Sequence, residues 1–131
     1  MIRLIDYSTA ALGLTLPPCR GGKFVLIRDE ETEYLVLSPA ILSKHHATIL
    51  ERFAAENEIE GMYLKRPFHY VFREPGWDVF GGGEWMIDEK RMVLHLFGKS
   101  VTYGKFHAEE LIRNIQKIPK MGKYKIIIDG R

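Results

Sequence analysis

Gly98-Lys99-Ser100-Val101-Thr102-Tyr103-Gly104 is the stretch of this chain best equipped for chemistry. It follows a strand-like run, residues 92–97, and precedes a helix-like run, residues 106–118. A small loop between a strand and a helix can present backbone N–H groups to an anion. Ser100 and Thr102 add hydroxyl donors, and Lys99 and Lys105 add positive charge. These are the ingredients of a phosphate or oxyanion site, although Gly and Ser also serve plain turn geometry in such loops. Two remote residues are candidates to join it: Lys23 at the start of an apolar strand, and His46 near the start of a helix. Spacing alone does not bring the three segments together.

The histidines permit more than one reading. His45 and His46 are neighbours, so they cannot share one helix face. His46 falls in the apolar stripe Leu42, His46, Ile49, Leu50, Phe53 and Ala54, which suits a satisfied core histidine as well as a site residue. His45 reads as its solvated neighbour. His69 and His95 lie in strand-like runs, and His107 lies at the start of the second helix. There is no HExxH, CxxC or His-x-His pair, and a single cysteine cannot furnish a structural zinc site. Walker, GxGxxG and GxSxG motifs are absent.

Other clusters have simpler explanations. Glu30-Glu31 and Glu109-Glu110 are turn and helix-start charges. Phe68, Tyr70, Phe72 and Trp77 lack a dense Lys/Arg stripe beside them, and read as core or lid residues rather than a base-stacking platform. Lys117, Lys120, Lys123 and Lys125 read as a solvated helix end and edge strand.

These residues need a scaffold. Lys23-Phe24-Val25-Leu26-Ile27-Arg28 and Tyr34-Leu35-Val36-Leu37 read as a hairpin about an acidic turn. Residues 38–57 read as a helix. Its start is ambiguous between Ser38-Pro39, a cap followed by proline, and Ser43. Tyr63-Leu64 and residues 69–72 read as short strands or an aromatic excursion. Residues 78–87 read as a strand crossing Gly81-Gly82-Gly83, where a bulge, a sharp bend or a close backbone approach is expected. A polar turn leads into residues 92–97. The second helix turns Leu111, Ile112, Ile115 and Ile118 inward and stops at Pro119, and residues 123–128 form the last strand. The order predicts an α+β domain: a mixed sheet of about six strands with two main helices.

Composition bounds the function. A chain of 131 residues is one domain, and 46% hydrophobic with 27% charged residues is an ordinary globular balance. A net charge of +2 does not argue for nucleic acid. Cys19 is the sole cysteine and is expected in a loop, with no internal disulfide, so an intracellular compartment fits. No apolar run reaches the ~18–20 residues of a membrane span, and residues 10–16 are too short for a signal sequence, so a cytoplasmic location is expected.

From Lys23 onward the chain resembles the phosphohistidine phosphatase (Janus/Ocnus) family. The matching pieces are residues 23–28, His46-Ala47-x-Ile49, Gly81-Gly82-Gly83, Gly98-x-Ser100-x-x-Tyr103-Gly104 with His107-Ala108, and Asp129-Gly130. They occur in the family's order at about its spacing. The resemblance implies a small α+β fold and metal-independent, cofactor-free hydrolysis of phosphoramidate bonds, chiefly phosphohistidine in proteins. It implies that His46 is the essential histidine, as general base or as nucleophile, and that Lys23 stands beside the phosphate. Backbone N–H groups of His46 and Ala47, with Ser100 and Thr102, would hold the phosphoryl oxygens. It also places the helix start near residues 43–46.

The departures are specific. His45 stands where the family often has an aromatic residue. Glu84 replaces an arginine after the glycine triplet, so that one phosphate contact is either missing or supplied by Lys99. Residues 65–77 look inserted, and residues 1–22 match poorly. The partner implied is a phosphohistidine protein or small phosphoramidate, with neither membrane nor nucleic acid favoured. A monomer or weak homo-oligomer is expected. The alternative is a phosphate- or phosphoprotein-binding domain of the same fold, motivated by Glu84 and His45.

Overall fold

Residues 2–13, 15–100 and 108–129 are described by the computed structural model. In chain order they form β1 (Ile2–Asp6), α1 (Ser8–Leu12), β2 (Cys19–Arg28), β3 (Glu33–Pro39), α2 (His46–Glu56), β4 (Gly61–Lys65), β5 (His69–Phe72), β6 (Asp78–Asp88), β7 (Val93–Phe97), α3 (Ala108–Gln116) and β8 (Lys125–Asp129). A short 3-10 turn, Pro119–Met121, precedes β8. Six strands make one mixed sheet in the order β1-β3-β2-β6-β7-β8. β1 runs parallel to β3 and β8 parallel to β7, and the remaining pairs are antiparallel. β4 and β5 form a separate two-stranded ribbon. This is the α+β architecture expected, with the mixed six-stranded sheet and two main helices.

The central strand β2 has cores on both sides. Phe24 and Leu26 point to one face, where they meet Leu35, Leu37, Trp85, Leu94 and Leu96 beneath Leu111 and Ile115 of α3. Val25 and Ile27 point to the other, where they meet Ala47, Ile49, Leu50 and Phe53 of α2 and Tyr70 of β5. Strand alternation produces this division. Burying such side chains stabilises the fold by about 1.5–3 kcal/mol each. The two helices therefore lie on opposite faces of the sheet, with the β4–β5 ribbon on the side of α2.

Several boundaries differ from those expected. β2 starts at Cys19, because Cys19 and Arg20 continue the ladder opposite Asp88 and Ile87. Cys19 is thus an exposed strand residue rather than part of a loop. β1 and α1 were not anticipated, since β1 is formed by a parallel pairing with β3 that leaves no local signature. Ser38 and Pro39 belong to β3, and Leu42 precedes α2. α3 is described from Ala108 to Gln116, so Lys117 lies beyond its last turn, which carries Arg113. Leu111 and Ile115 enter the core, with Ile112 and Ile118 packed on its margin. Among the described residues, no helix is long and apolar enough to cross a membrane.

Candidate phosphate site

The site is assembled on the α2 face of the sheet. Lys23 occupies β2 beside Ser38 of β3 and Glu84 of β6, and Glu84 faces Phe97 of β7. One row of the sheet therefore presents Ser38, Lys23, Glu84 and Phe97 on the same side. The adjacent row on that face contains Val36, Val25 and Gly82.

His46 is the first residue of α2. His45 is the extended N-cap residue, and its carbonyl accepts the Thr48 N–H at 3.2 Å and the Thr48 hydroxyl at 2.7 Å. The expected cap at Ser43 is not formed. Its hydroxyl is buried and paired with the Ser38 hydroxyl at 2.8 Å. The cap at Ser38-Pro39 is likewise unavailable, because both residues are committed to the β2–β3 ladder. The first helical N–H groups, those of His46 and Ala47, lack intrahelical acceptors by geometry.

The imidazole is fixed by its Nε2, 2.9 Å from the Gly83 carbonyl oxygen. A carbonyl only accepts, so Nε2 carries the proton and Nδ1 is the basic nitrogen of the neutral ring. Burial pushes the imidazole below its ordinary pKa of 6.5. The Gly83 carbonyl opposes that shift, the Lys23 ammonium adds to it, and Glu84 opposes it. The ring is therefore neutral and competent as a base at neutral pH.

Gly82 explains the closeness of the ring to the 98–100 segment. A Cβ at Gly82 would sit 3.2 Å from Cδ2 of His46, 3.1 Å from Cβ of Ser100 and 3.0 Å from the Phe24 carbonyl. The missing side chain leaves the space in which His46 and Ser100 converge. Ser100 is held there by its own N–H, which donates to the Gly82 carbonyl at 3.0 Å, and it is 2% exposed. At Gly83 the requirement is different. A Cβ there would fall 2.6 Å from the Phe97 carbonyl and 2.9 Å from the Phe24 ring, within the core of the opposite face. The expected close backbone approach at the triplet is observed. The register shift lies just before it, between Leu26 and Ile27 of the facing strand.

Lys23, Lys44, His45, His46, Phe68, Lys99 and Ser100 line one cavity of about 440 Å³. Of the residues singled out from sequence, Lys23, His46, Lys99 and Ser100 are brought together here. Ala47 follows His46 in α2 with its side chain in the core. Thr102, Tyr103, Lys105 and His107 lie outside the described residues. Three lining residues were not anticipated as part of a site: Lys44, His45 and Phe68. His45 is half-buried rather than solvated, and the Phe68 ring meets it edge-on at 5.0 Å between centroids. Phe68 itself is 49% exposed at the turn between β4 and β5, within the segment that looked inserted. Tyr70, Phe72 and Trp77 instead pack with Phe53 in the α2 core.

No family model matches this chain. No curated protein is significantly similar to it in sequence.

Chemistry distinguishes this cavity from the larger groove beside Ile2, Leu4, Ile118 and Pro119, of about 670 Å³. The polar residues lining that groove are Arg3, Asn114 and Lys117, with no histidine, thiol or carboxylate among them. The His46 cavity joins a neutral imidazole, lysine ammonium groups and helix-start N–H groups, a set suited to binding a tetrahedral anion and moving a proton beside it. Among the described residues, no three His, Cys, Asp or Glu side chains are grouped as metal ligands would be.

Proposed function

We propose that this protein is a metal-independent phosphatase that hydrolyses phosphoramidate bonds, chiefly phosphohistidine in proteins. The observation carrying this reading is the convergence of His46 and Ser100 over Gly82 in a cavity that Lys23 and Lys99 also line. The resemblance to the phosphohistidine phosphatases rests on the same residues.

The chemistry follows from the donor set. In this reading the N–H groups of His46 and Ala47, together with Ser100, bind phosphoryl oxygens, and Lys23 supplies fixed positive charge. In phosphoryl transfer, positioning and charge stabilisation do most of the catalytic work. Water attacks phosphorus, and Nδ1 of His46 takes its proton. The P–N bond breaks with its electron pair on the leaving nitrogen, which takes up a proton, and inorganic phosphate is released. His46 as nucleophile uses the same lone pair and would pass through a phosphorylated imidazole. A cytoplasmic location suits the reading, because a reducing compartment keeps the exposed Cys19 thiol free.

One observation favours a second reading, a phosphate or phosphoprotein binder. Glu84 lies beside Lys23 in the ladder and opposes the positive field where an anion would sit. Phosphorus NMR of peptides bearing phosphohistidine, phospholysine or phosphoserine separates the two. Catalytic release from the P–N peptides, with the P–O peptide left intact, is expected. Tight binding without release from any of them contradicts the phosphatase reading.

A further inference from the structure

We infer that the mouth of the His46 cavity docks an acidic polypeptide segment, so that the phosphorylated residue of the natural substrate is flanked by Asp and Glu. The inference rests on the phosphatase reading for the place of the phosphoryl group, and on the distribution of charge for the rest. The whole chain carries a net charge of only +2, yet cations gather around this opening. Lys44 and Lys99 are exposed and line it, with Lys23 deeper in the same cavity. The β4–β5 ribbon brings two more. Phe68 at its turn forms part of the cavity wall, and the Lys65 ammonium lies 6.0 Å from the centre of the Phe68 ring. Arg66 is adjacent and exposed, its guanidinium 4.5 Å above the Tyr63 ring.

Glu51 and Glu84 are two carboxylates set against these five cations. Glu51 accepts a hydrogen bond from the Tyr63 hydroxyl at 2.8 Å, on the flank of α2. Glu84 lies beside Lys23 in the ladder, its Oε2 3.5 Å from where a Cβ at Gly98 would sit, and offsets part of the charge on the sheet side of the opening. A phosphoryl group alone is served by the cavity floor, so Lys65 and Arg66, on the ribbon outside it, are available to groups flanking that phosphoryl. Nucleic acid is the less suitable occupant. Lys23, Lys44 and Lys99 meet at one opening with Lys65 beside its Phe68 wall, and Glu84 lies next to Lys23 along the sheet. Phe68 is committed edge-on to His45 rather than open as one of a series of stacking faces.

The test uses the full chain and fluorescent peptides bearing a phosphonate mimic of phosphohistidine, flanked by acidic, neutral or basic residues. Anisotropy should show the acidic peptide binding about tenfold more tightly than the neutral one, with the preference shrinking at high salt. The double substitution Lys65→Glu with Arg66→Glu should remove that preference while phosphate release from imidazole phosphate is unchanged. Equal affinity for the three peptides overturns the inference. So does a double variant that keeps the preference, or an RNA oligonucleotide lacking any terminal phosphoryl that competes as well as the acidic peptide. Preference for the acidic peptide with no turnover of imidazole phosphate sustains the docking surface and contradicts the phosphatase reading. Turnover without preference does the reverse.

Discussion

Nε2 of His46 donates to the Gly83 carbonyl across 2.9 Å, tying the first residue of α2 to the glycine triplet of β6. This bond selects the tautomer, orients the ring over Gly82 and leaves Nδ1 as the basic nitrogen. The other proposed roles depend on the imidazole being held in this position.

Gly82→Ala tests the packing behind that position. The new methyl group would press on the His46 ring, the Ser100 side chain and the Phe24 carbonyl together. A sub-ångström displacement of reacting groups is expected to lower kcat about ten- to a hundredfold. Strain of this kind costs about 1–3 kcal/mol of stability. Steady-state kinetics beside urea unfolding checks both, and an unaltered kcat would show that the alignment is not needed.

The depressed pKa of His46 has a consequence for activity. Burial holds the imidazole neutral below its ordinary value of 6.5. The acid limb of the kcat/KM profile should therefore fall below that pH, and activity should persist at mild acidity. A limb above 6.5 would mean that another group controls the proton.

The same shift has a sign for stability. The unfolded chain, with its ordinary imidazole, binds more protons than the folded chain between the folded and unfolded pKa values. Stability therefore rises with pH through the window below 6.5, and is lost as the pH falls through it. His46→Gln should flatten this part of the dependence, measured as the difference between the two proteins in urea melts at several pH values. Identical slopes would contradict the burial of a neutral ring.

Glu84→Gln removes a carboxylate beside Lys23. An exposed charge of this kind is worth about 0.2–1 kcal/mol, so affinity for inorganic phosphate should rise about one-and-a-half- to fivefold, more at low salt. Isothermal titration reads this directly. A weaker affinity would instead make Glu84 a contributor to binding.

Trp85 supports the floor of the site from the other face. Its indole N–H donates to the Ser38 carbonyl at 3.0 Å, within the ladder next to Lys23. Trp85→Phe leaves that buried carbonyl short of a donor and should cost about 1–3 kcal/mol of stability. Thermal and urea unfolding check it, and a neutral result would show that the carbonyl finds another partner.

The sheet's centre was legible because the run from Lys23 to Arg28 is apolar on both sides of its strand, which only a doubly covered strand needs. β1 was not legible because its partner is β3, some thirty residues away, and its short sequence carries no turn signal. The start of α2 misled for a physical reason. Ser38 and Ser43 have the chemistry of caps, but they bond to each other and brace the β3 exit instead. His45 fills the cap position with backbone geometry alone. The chemistry of Lys23, His46 and Ser100 was visible residue by residue, whereas their meeting point was not. It depends on a contact at Gly82 that no local pattern encodes. Phe68 and Lys44 were missed because an exposed aromatic in a turn and a lysine before a helix are common surface features.

Phosphate release from a phosphohistidine peptide, compared between the native chain and His46→Ala, decides whether His46 carries the hydrolysis. Multiple turnovers by the native protein are expected. The variant should lose about 10²–10⁴-fold in rate, with the circular dichroism spectrum and melting cooperativity retained. A folded His46→Ala protein that releases phosphate at the native rate would contradict that role.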